Sequence, residues 1–403
     1  MKKLLLLSTF FLGVSIYSQS STCDGNRYKN VVFLSVDSVI NVTYGNNTTM
    51  GGSNQDLKMN IYSPSGDIET KRPVIVFAHG GSFVSGTKED MASLCRYFSS
   101  KGFVTATISY RLIDVFPSDS TDIIDEVVKA TADMRAAIRF LKEDAATTNT
   151  YKIDTNYVFA GGISAGAIIA NHVAYLDASD NIPPVYLTEI NNNGGIEGNS
   201  SSNLQYSSKV HGVLNYSGGL AFTNWMNVNE APLYSAHDDN DNVVPCQTGP
   251  TPGGFSVNVN INGSCAMAAY ATNIGLSSTI YTVNNSTDHV SYFTNAGQTV
   301  QVTQESSDFL FNIICNQSIG IEESNDNNIM IYPNPTSGLI NFKNLNQLTY
   351  NVIIQTLDGK IVKDQQINSS LNNIDLRDLT KGTYIIKISS DRTNVFVDKV
   401  LIQ

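Results

Sequence analysis

The chain has 403 residues, with 25 Lys+Arg against 36 Asp+Glu for a net charge of −11, and 41% of it is hydrophobic. Such a composition supports a sizeable core and excludes global disorder, and the length predicts one large domain with a smaller one. An acidic chain with so few basic residues has no electrostatic footprint for nucleic acid or anionic lipid, which removes both as partners.

At the start, Met1-Lys2-Lys3 precedes an apolar stretch from Leu4 to Ile16, and Ser18-Gln19 follows where small residues allow cleavage. This is the layout of a secretory signal peptide over 1–18, too short and wrongly flanked for a spanning helix. Cys23 follows Ser20-Ser21-Thr22 and lacks the Leu of a bacterial lipoprotein site. The mature protein is therefore expected to be exported and soluble, with no membrane span. Five scattered cysteines, none in a C-x-x-C pair, predict neither a disulfide scaffold nor a zinc site.

From 19 to 317, short apolar runs alternate with helix-period segments, which predicts a mostly parallel α/β sheet with helices on both faces. The near-continuous, β-branched runs that suit strands buried on both faces are 74–78, 104–108, 157–160, 213–216, 233–236 and 279–283. Asp125 to Lys142 carries an apolar stripe at helical spacing, and Gly166 to Leu176 reads as a helix rich in small residues. Residues 177–208, loaded with Asn, Ser and Gly, read as a long connection without an element of its own. Residues 246–265 read as a second long loop. A Cys246–Cys265 disulfide would tie that loop off, and two buried thiols would serve equally well.

Residues 318–328 are polar and aperiodic, a linker. From 329 to 403 short alternating strands with turns at Asp358-Gly359 and Asp391 predict a small all-β sandwich.

The chemistry concentrates in three places. Gly162-Ile163-Ser164-Ala165-Gly166 lies between a strand and a helix, where a sharp turn would hold Ser164 in strained geometry at the carboxyl end of the sheet. His79-Gly80-Gly81-Ser82-Phe83 ends an earlier strand. The amides of Gly81 and Ser82, with that of Ala165, would receive a developing oxyanion. A serine hydroxyl needs a base, and the base needs an orienting carboxylate. Of the five histidines, His79 reads as a brace for its loop, His172 and His211 as core or surface residues, and His237 as shaping a turn. His289 lies in a polar loop directly after the last strand of the domain. For the carboxylate, Asp241 is preferred because Val243-Val244-Pro245 would pin its loop, while Asp238 and Asp239 read as exposed turn residues.

These residues resemble the α/β-hydrolase superfamily, in its carboxylesterase/lipase-like branch with an HGG-type oxyanion loop. The likeness is carried by His79-Gly80-Gly81, Ser109-Tyr110-Arg111-Leu112, Gly162 to Gly166, the Asp241 loop and His289. It implies Ser164 as nucleophile, Asp241 as acid and His289 as base, in the chain order that superfamily uses. Ser82 stands where many relatives carry a third Gly, which leaves the amide donor intact. Asp238 stands where many carry a Gly, which bears on the choice between Asp241 and Asp238. Ile331-Tyr332-Pro333-Asn334-Pro335-Thr336-Ser337-Gly338 and Gly382 to Ile388 resemble the C-terminal sorting domain of the type IX (Por) secretion system of Bacteroidetes. That likeness implies export through the periplasm and outer membrane to the medium or cell surface, with the secretion machinery as partner.

The expectation is a secreted serine carboxylic-ester hydrolase with no metal or organic cofactor, working through an acyl-enzyme on a small or polymer-linked ester. Acetyl or feruloyl esters of polysaccharides are the favoured substrates. The substrate pockets are expected from 177–208, from Phe222 and Trp225, and from the 246–265 loop. The alternatives are a lipase or polyesterase, a serine peptidase of the same fold, and a non-catalytic surface protein on a hydrolase scaffold.

Overall fold

The computed structural model describes residues 23–251, 259–315, 330–343, 349–356, 360–368, 372–390 and 395–403. The signal-peptide reading of 1–18, the 318–328 linker and the turns at Asp358-Gly359 and Asp391 lie outside them. Two compact units divide the chain, Met1–Asn316 and Gln317–Gln403.

In the larger unit, the apolar runs become strands in which every residue is buried: β3 (Arg72–Ala78), β4 (Val104–Ile108), β6 (Val213–Tyr216) and β8 (Leu233–Asp238). With β5 (Ile153–Ile163) and β11 (Ser278–Val283) they pair in parallel. The hairpin of β1 (Val36–Thr48) and β2 (Asn54–Pro64) joins antiparallel, giving the order β1-β2-β4-β3-β5-β6-β8-β11. Strand β1 lacks a buried run, being exposed along most of its length, and so gave no signal in the sequence.

Both faces of the sheet are covered, and strand β3 shows how. Its Val74, Val76 and Ala78 enter one core with helices α2 (Ser120–Ala146), α3 (Ala165–Tyr175), α4 (Pro184–Asn192) and α5 (Ser264–Ile274). Its Ile75 and Phe77 enter the other with α1 (Ala92–Ser100) and α6 (Ala296–Cys315). Alternation along a strand sends successive side chains to opposite faces. A run apolar at every position therefore belongs between two helix layers.

Two expectations about long connections are corrected. Residues 177–208 contain α4, which starts at Pro184, a residue preorganised for a first helical turn. The rest of that connection is pinned by buried arginines. Arg135 donates to the carbonyls of Ile196 and Leu176, Arg139 to the Glu197 carbonyl and carboxylate, and Arg111 to Ser200 Oγ and the Asp133 carboxylate. Polar loop backbone is thus held by side chains from α2 and the strand ends, a long-range arrangement with no local signature. The 246–265 segment also has structure: β9 (Thr248–Pro250) pairs with β10 (Asn260–Gly263), which pairs with β7 (Gly219–Leu220).

Disulfides join Cys246 to Cys265 and Cys23 to Cys315, the second closing a loop with a separation of 292 residues. Of the two readings of Cys246 and Cys265 the structure has the bridge, whereas the Cys23–Cys315 bridge was not expected, because partners so far apart in the chain leave no spacing pattern. Cys95 is a buried thiol.

In the smaller unit, β12 (Met330–Tyr332), β13 (Leu339–Lys343) and β16 (Asn373–Asp375) form one antiparallel sheet. Strands β14 (Tyr350–Gln355), β15 (Ile361–Ile367), β17 (Gly382–Ser390) and β18 (Val395–Ile402) form another. Ile340, Phe342 and Ile374 of the first share one core with Val352, Ile354, Ile386 and Val400 of the second, as two packed sheets require.

Candidate active site

Ser164 stands between β5 and α3 with φ 55° and ψ −119°, outside the favoured regions for a residue with a side chain. Sterics around it leave few alternatives. A Cβ on Gly166 would lie 2.0 Å from the Ala78 carbonyl oxygen, and one on Gly162 would lie 2.2 Å from the Gly166 carbonyl carbon. Only glycine at both positions lets α3 press against β3 and β5. The backbone strain that results is held by this packing and by the Ser164 amide, which donates to the Tyr216 carbonyl.

The neighbouring loop passes directly over this turn. A Cβ on Gly80 would already touch the Ile163 carbonyl oxygen at 3.2 Å and Ser164 Cβ at 3.4 Å. Gly81, Ser82 and Phe83 follow with φ of 118°, 53° and 61°, three consecutive residues in left-handed backbone. His79 braces the loop, stacking on Tyr110 with ring centroids 4.4 Å apart, while Tyr110 donates its hydroxyl to the His79 carbonyl. Ser82 and Ala165 border the same pocket as Ser164. Ala165 opens α3, so its amide has no partner within the helix.

Across the pocket, His289 Nε2 lies 2.8 Å from Ser164 Oγ, and His289 Nδ1 lies 2.6 Å from Asp241 Oδ2. The three side chains come from sites separated by up to 125 positions and form one continuous hydrogen-bonded line. Asp241 Oδ1 accepts from the amides of Val243 and Val244, so the apolar pair does pin this loop. Burial by itself would raise the Asp241 pKa. Hydrogen bonds from His237 and His289 and the charge on His289 overcome it and hold the carboxyl below the usual range.

Asp238 and Asp239 correct the reading of exposed turn residues. Asp238 is fully buried and accepts from the amide and hydroxyl of Ser291. Asp239 accepts from the amides of Asn285 and Ser286. Asp238 at the end of β8, and Asp239 and Asp241 just beyond it, therefore grip the His289 loop at its end, its start and its imidazole respectively. His237 supports them, lying between Ser264 Oγ at 2.7 Å and the Val244 carbonyl at 2.9 Å. The sequence showed the acidic cluster but not that two loops lie side by side, which depends on β8 and β11 being neighbours in the sheet.

The pocket beside Ser164 has a volume of about 90 Å³. Ile113, Ile123, Val127, Ile168 and Ile261 make its walls mostly apolar, with Tyr186 from α4 and His172 from α3. Phe222 and Trp225, expected at the pocket, instead pack behind Tyr186, and Trp225 is fully buried. The contribution of α2 was missed because its apolar stripe reads equally well as core. Among the described residues no group of three or more His, Cys, Asp or Glu side chains is placed to hold a metal. None of the described helices is long and apolar enough to cross a membrane.

Comparison with known proteins agrees with this architecture. Residues 59–243 match the BD-FAE family model, an esterase family, and residues 330–403 match the secretion system C-terminal sorting domain. The larger unit is an α/β-hydrolase esterase. Among solved structures, esterase 2 of Thermogutta terrifontis phosphorylated by paraoxon is 18% identical, with a TM-score of 0.51 over 69% of this chain and 94% of that one. A truncated carbohydrate esterase from gut microbiota is also 18% identical, with a TM-score of 0.50 over 69% of this chain and 96% of that one. At such identity these two share the fold. The neuroligin-like protein glit-1 of Caenorhabditis elegans is 34% identical over 113 residues, which span 28% of this chain and 15% of that protein. The C-terminal unit of the esterase directs type IX secretion, to the cell surface or the medium, and implies contact with that machinery.

Proposed function

We propose that the esterase works through Ser164 as nucleophile, His289 as general base and then acid, and Asp241 as the carboxylate that orients and stabilises the imidazolium. Support comes from the unbroken line from Ser164 Oγ to His289 to Asp241, at 2.8 and 2.6 Å. His289 Nε2 takes the hydroxyl proton as Oγ attacks the ester carbonyl carbon. The carbonyl oxygen becomes an oxyanion, held by the amides of Gly81, Ser82 and Ala165. His289 returns the proton to the departing alkoxide, leaving an acyl-enzyme and a free alcohol. Water then gives a proton to His289 and attacks the acyl carbon, and the second collapse restores the Ser164 hydroxyl with release of the acid.

Acetyl or feruloyl esters of polysaccharides are the proposed substrates. This reading rests on export to the exterior and on the carbohydrate esterase that shares the fold. An apolar acyl pocket of about 90 Å³ favours compact acyl groups over long chains.

Hydrolysis of p-nitrophenyl esters of increasing acyl length, with Ser164→Ala alongside, tests the mechanism and the size limit together. Turnover that peaks at short acyl groups and vanishes in the alanine variant is expected. Equal inertness of both proteins, with no fluorophosphonate label on Ser164, would overturn the proposal.

A further inference from the structure

Behind Asp241 lies a row of polar side chains that the Ser164 mechanism does not use. Asn215, Ser235, His237 and Ser264 are all fully buried. Buried polar groups are kept where their hydrogen bonds are complete, and here the bonds run in one direction. The Gly218 amide donates to Asn215 Oδ1 at 3.0 Å, which turns Asn215 Nδ2 toward Ser264 Oγ at 2.9 Å and Ser235 Oγ at 3.0 Å. With that bond accepted, the Ser264 hydroxyl hydrogen is left for His237 Nδ1, 2.7 Å away. On the far side of the ring, Nε2 lies 2.9 Å from the Val244 carbonyl oxygen, which can only accept, so Nε2 carries the hydrogen. The tautomer is fixed from both sides.

This ring bears on the carboxylate of Asp241 in two ways. Nε2 stands 3.5 Å from Asp241 Oδ2, the oxygen that His289 Nδ1 meets. Val244, whose carbonyl takes the Nε2 hydrogen, gives its own amide to Asp241 Oδ1 at 3.0 Å. His237 therefore acts on one carboxylate oxygen directly and on the other through Val244. Its two anchors, in turn, sit beside the two cysteines of one bridge. Val244 comes two residues before Cys246, and Ser264 comes directly before Cys265. The Cys265 and Ala266 amides both donate to the Cys246 carbonyl, at 2.8 and 3.2 Å. A Cβ on Gly263 would lie 1.8 Å from the Pro245 carbonyl oxygen, so the two segments are in backbone contact. The bridge ties the loop that carries Val244 to the helix start that carries Ser264.

We propose that His237 is a positioning residue that aligns the Asp241 carboxylate with His289, and that the Cys246–Cys265 bridge holds the two anchors of its ring in place. This rests on the Ser164 mechanism proposed above. A bridge that acted only by constraining the unfolded chain would matter less here than at Cys23–Cys315, because its partners are 19 residues apart against 292. The two bridges therefore separate a role in the site from a role in stability.

The full-length protein is assayed on p-nitrophenyl acetate, well below the thermal midpoint of each variant. His237→Leu is expected to lower kcat by about 10–100-fold with KM little changed, since a misaligned base costs most in the transition state. His237→Gln, whose amide can still donate toward Val244 and Asp241, recovers part of the loss. Cys246→Ala with Cys265→Ala lowers kcat by about tenfold, whereas Cys23→Ala with Cys315→Ala lowers the thermal midpoint and leaves kcat as it was. Unchanged kcat in folded His237→Leu, or equal kcat in the two bridge variants, would make this cradle part of the fold alone and sink the proposal. Should His237→Leu fail to fold, Ser264→Ala, which removes the hydroxyl that fixes the tautomer, and the bridge pair decide by the same criterion. Turnover and fluorophosphonate labelling of Ser164 in the wild type test the Ser164 mechanism separately. With both present, a failure here belongs to the His237 proposal alone.

Discussion

The nucleophile and the base of this esterase are positioned by different physics. Ser164 is set by backbone sterics: glycines at 162 and 166 let a strand and a helix close to distances that no side chain would allow. His289 is set by polar side chains, with Asp239, Asp241 and Asp238 binding successive parts of its loop. The first device is local and rigid. The second joins two loops more than forty residues apart and depends on carboxylates staying ionised. Strain can be stored where packing over-determines the backbone, whereas the imidazole needs a hydrogen-bonded cradle that fixes its tautomer.

Substitutions on either side can break this contrast. Ser164→Ala is expected to lower kcat by roughly 10⁵–10⁶-fold, read as ester turnover, with a thermal midpoint close to wild type. Asp241→Asn keeps the shape of the cradle but presents the wrong partner to His289 Nδ1, and kcat should fall by about 10⁴-fold. On the nucleophile side, Gly166→Ala places a methyl 2.0 Å from the Ala78 carbonyl oxygen. A loss of about 3–5 kcal/mol in denaturant unfolding is expected, so that position fails by stability where Asp241 fails by chemistry.

Acid sharpens the comparison. His172, on the nucleophile's helix, has an ordinary pKa of 6.5 lowered to about 4 by burial. Between those values the unfolded chain binds a proton that the folded one refuses. Its contribution is full above pH 6.5 and lost as pH falls toward 4, by up to about 3 kcal/mol. Asp241 is also depressed, so its contribution is lost only at lower pH, below the ordinary carboxylate value. Urea unfolding from pH 7 to pH 4 should therefore show an early loss that His172→Gln reduces. The smallest effect is expected for Asp239→Ala, which frees the start of the His289 loop. A fall of about 10–100-fold in kcat with little change in thermal midpoint would show that the loop positions the base without holding the fold.

The sequence by itself determined the elements whose signals are local. Buried strands such as 74–78 were visible as β-branched runs, since burial on both faces requires an apolar residue at every position. Ser164 was visible because close approach of strand and helix demands glycine at fixed offsets. The sorting domain was legible from Ile331 to Gly338 and from Gly382 to Ile388, where turn and strand residues recur in fixed order. Tertiary structure alone decided what depends on neighbours in space. Strand β1 escaped notice because an edge strand open to solvent needs no apolar run. Helix α4 hid in a polar stretch whose order comes from Arg135, Arg139 and Arg111 reaching it from elsewhere. The Cys23–Cys315 bridge and the burial of Asp238 follow from which surfaces the parallel sheet brings together. A linear pattern records what each residue is, and these features arise from what each residue meets.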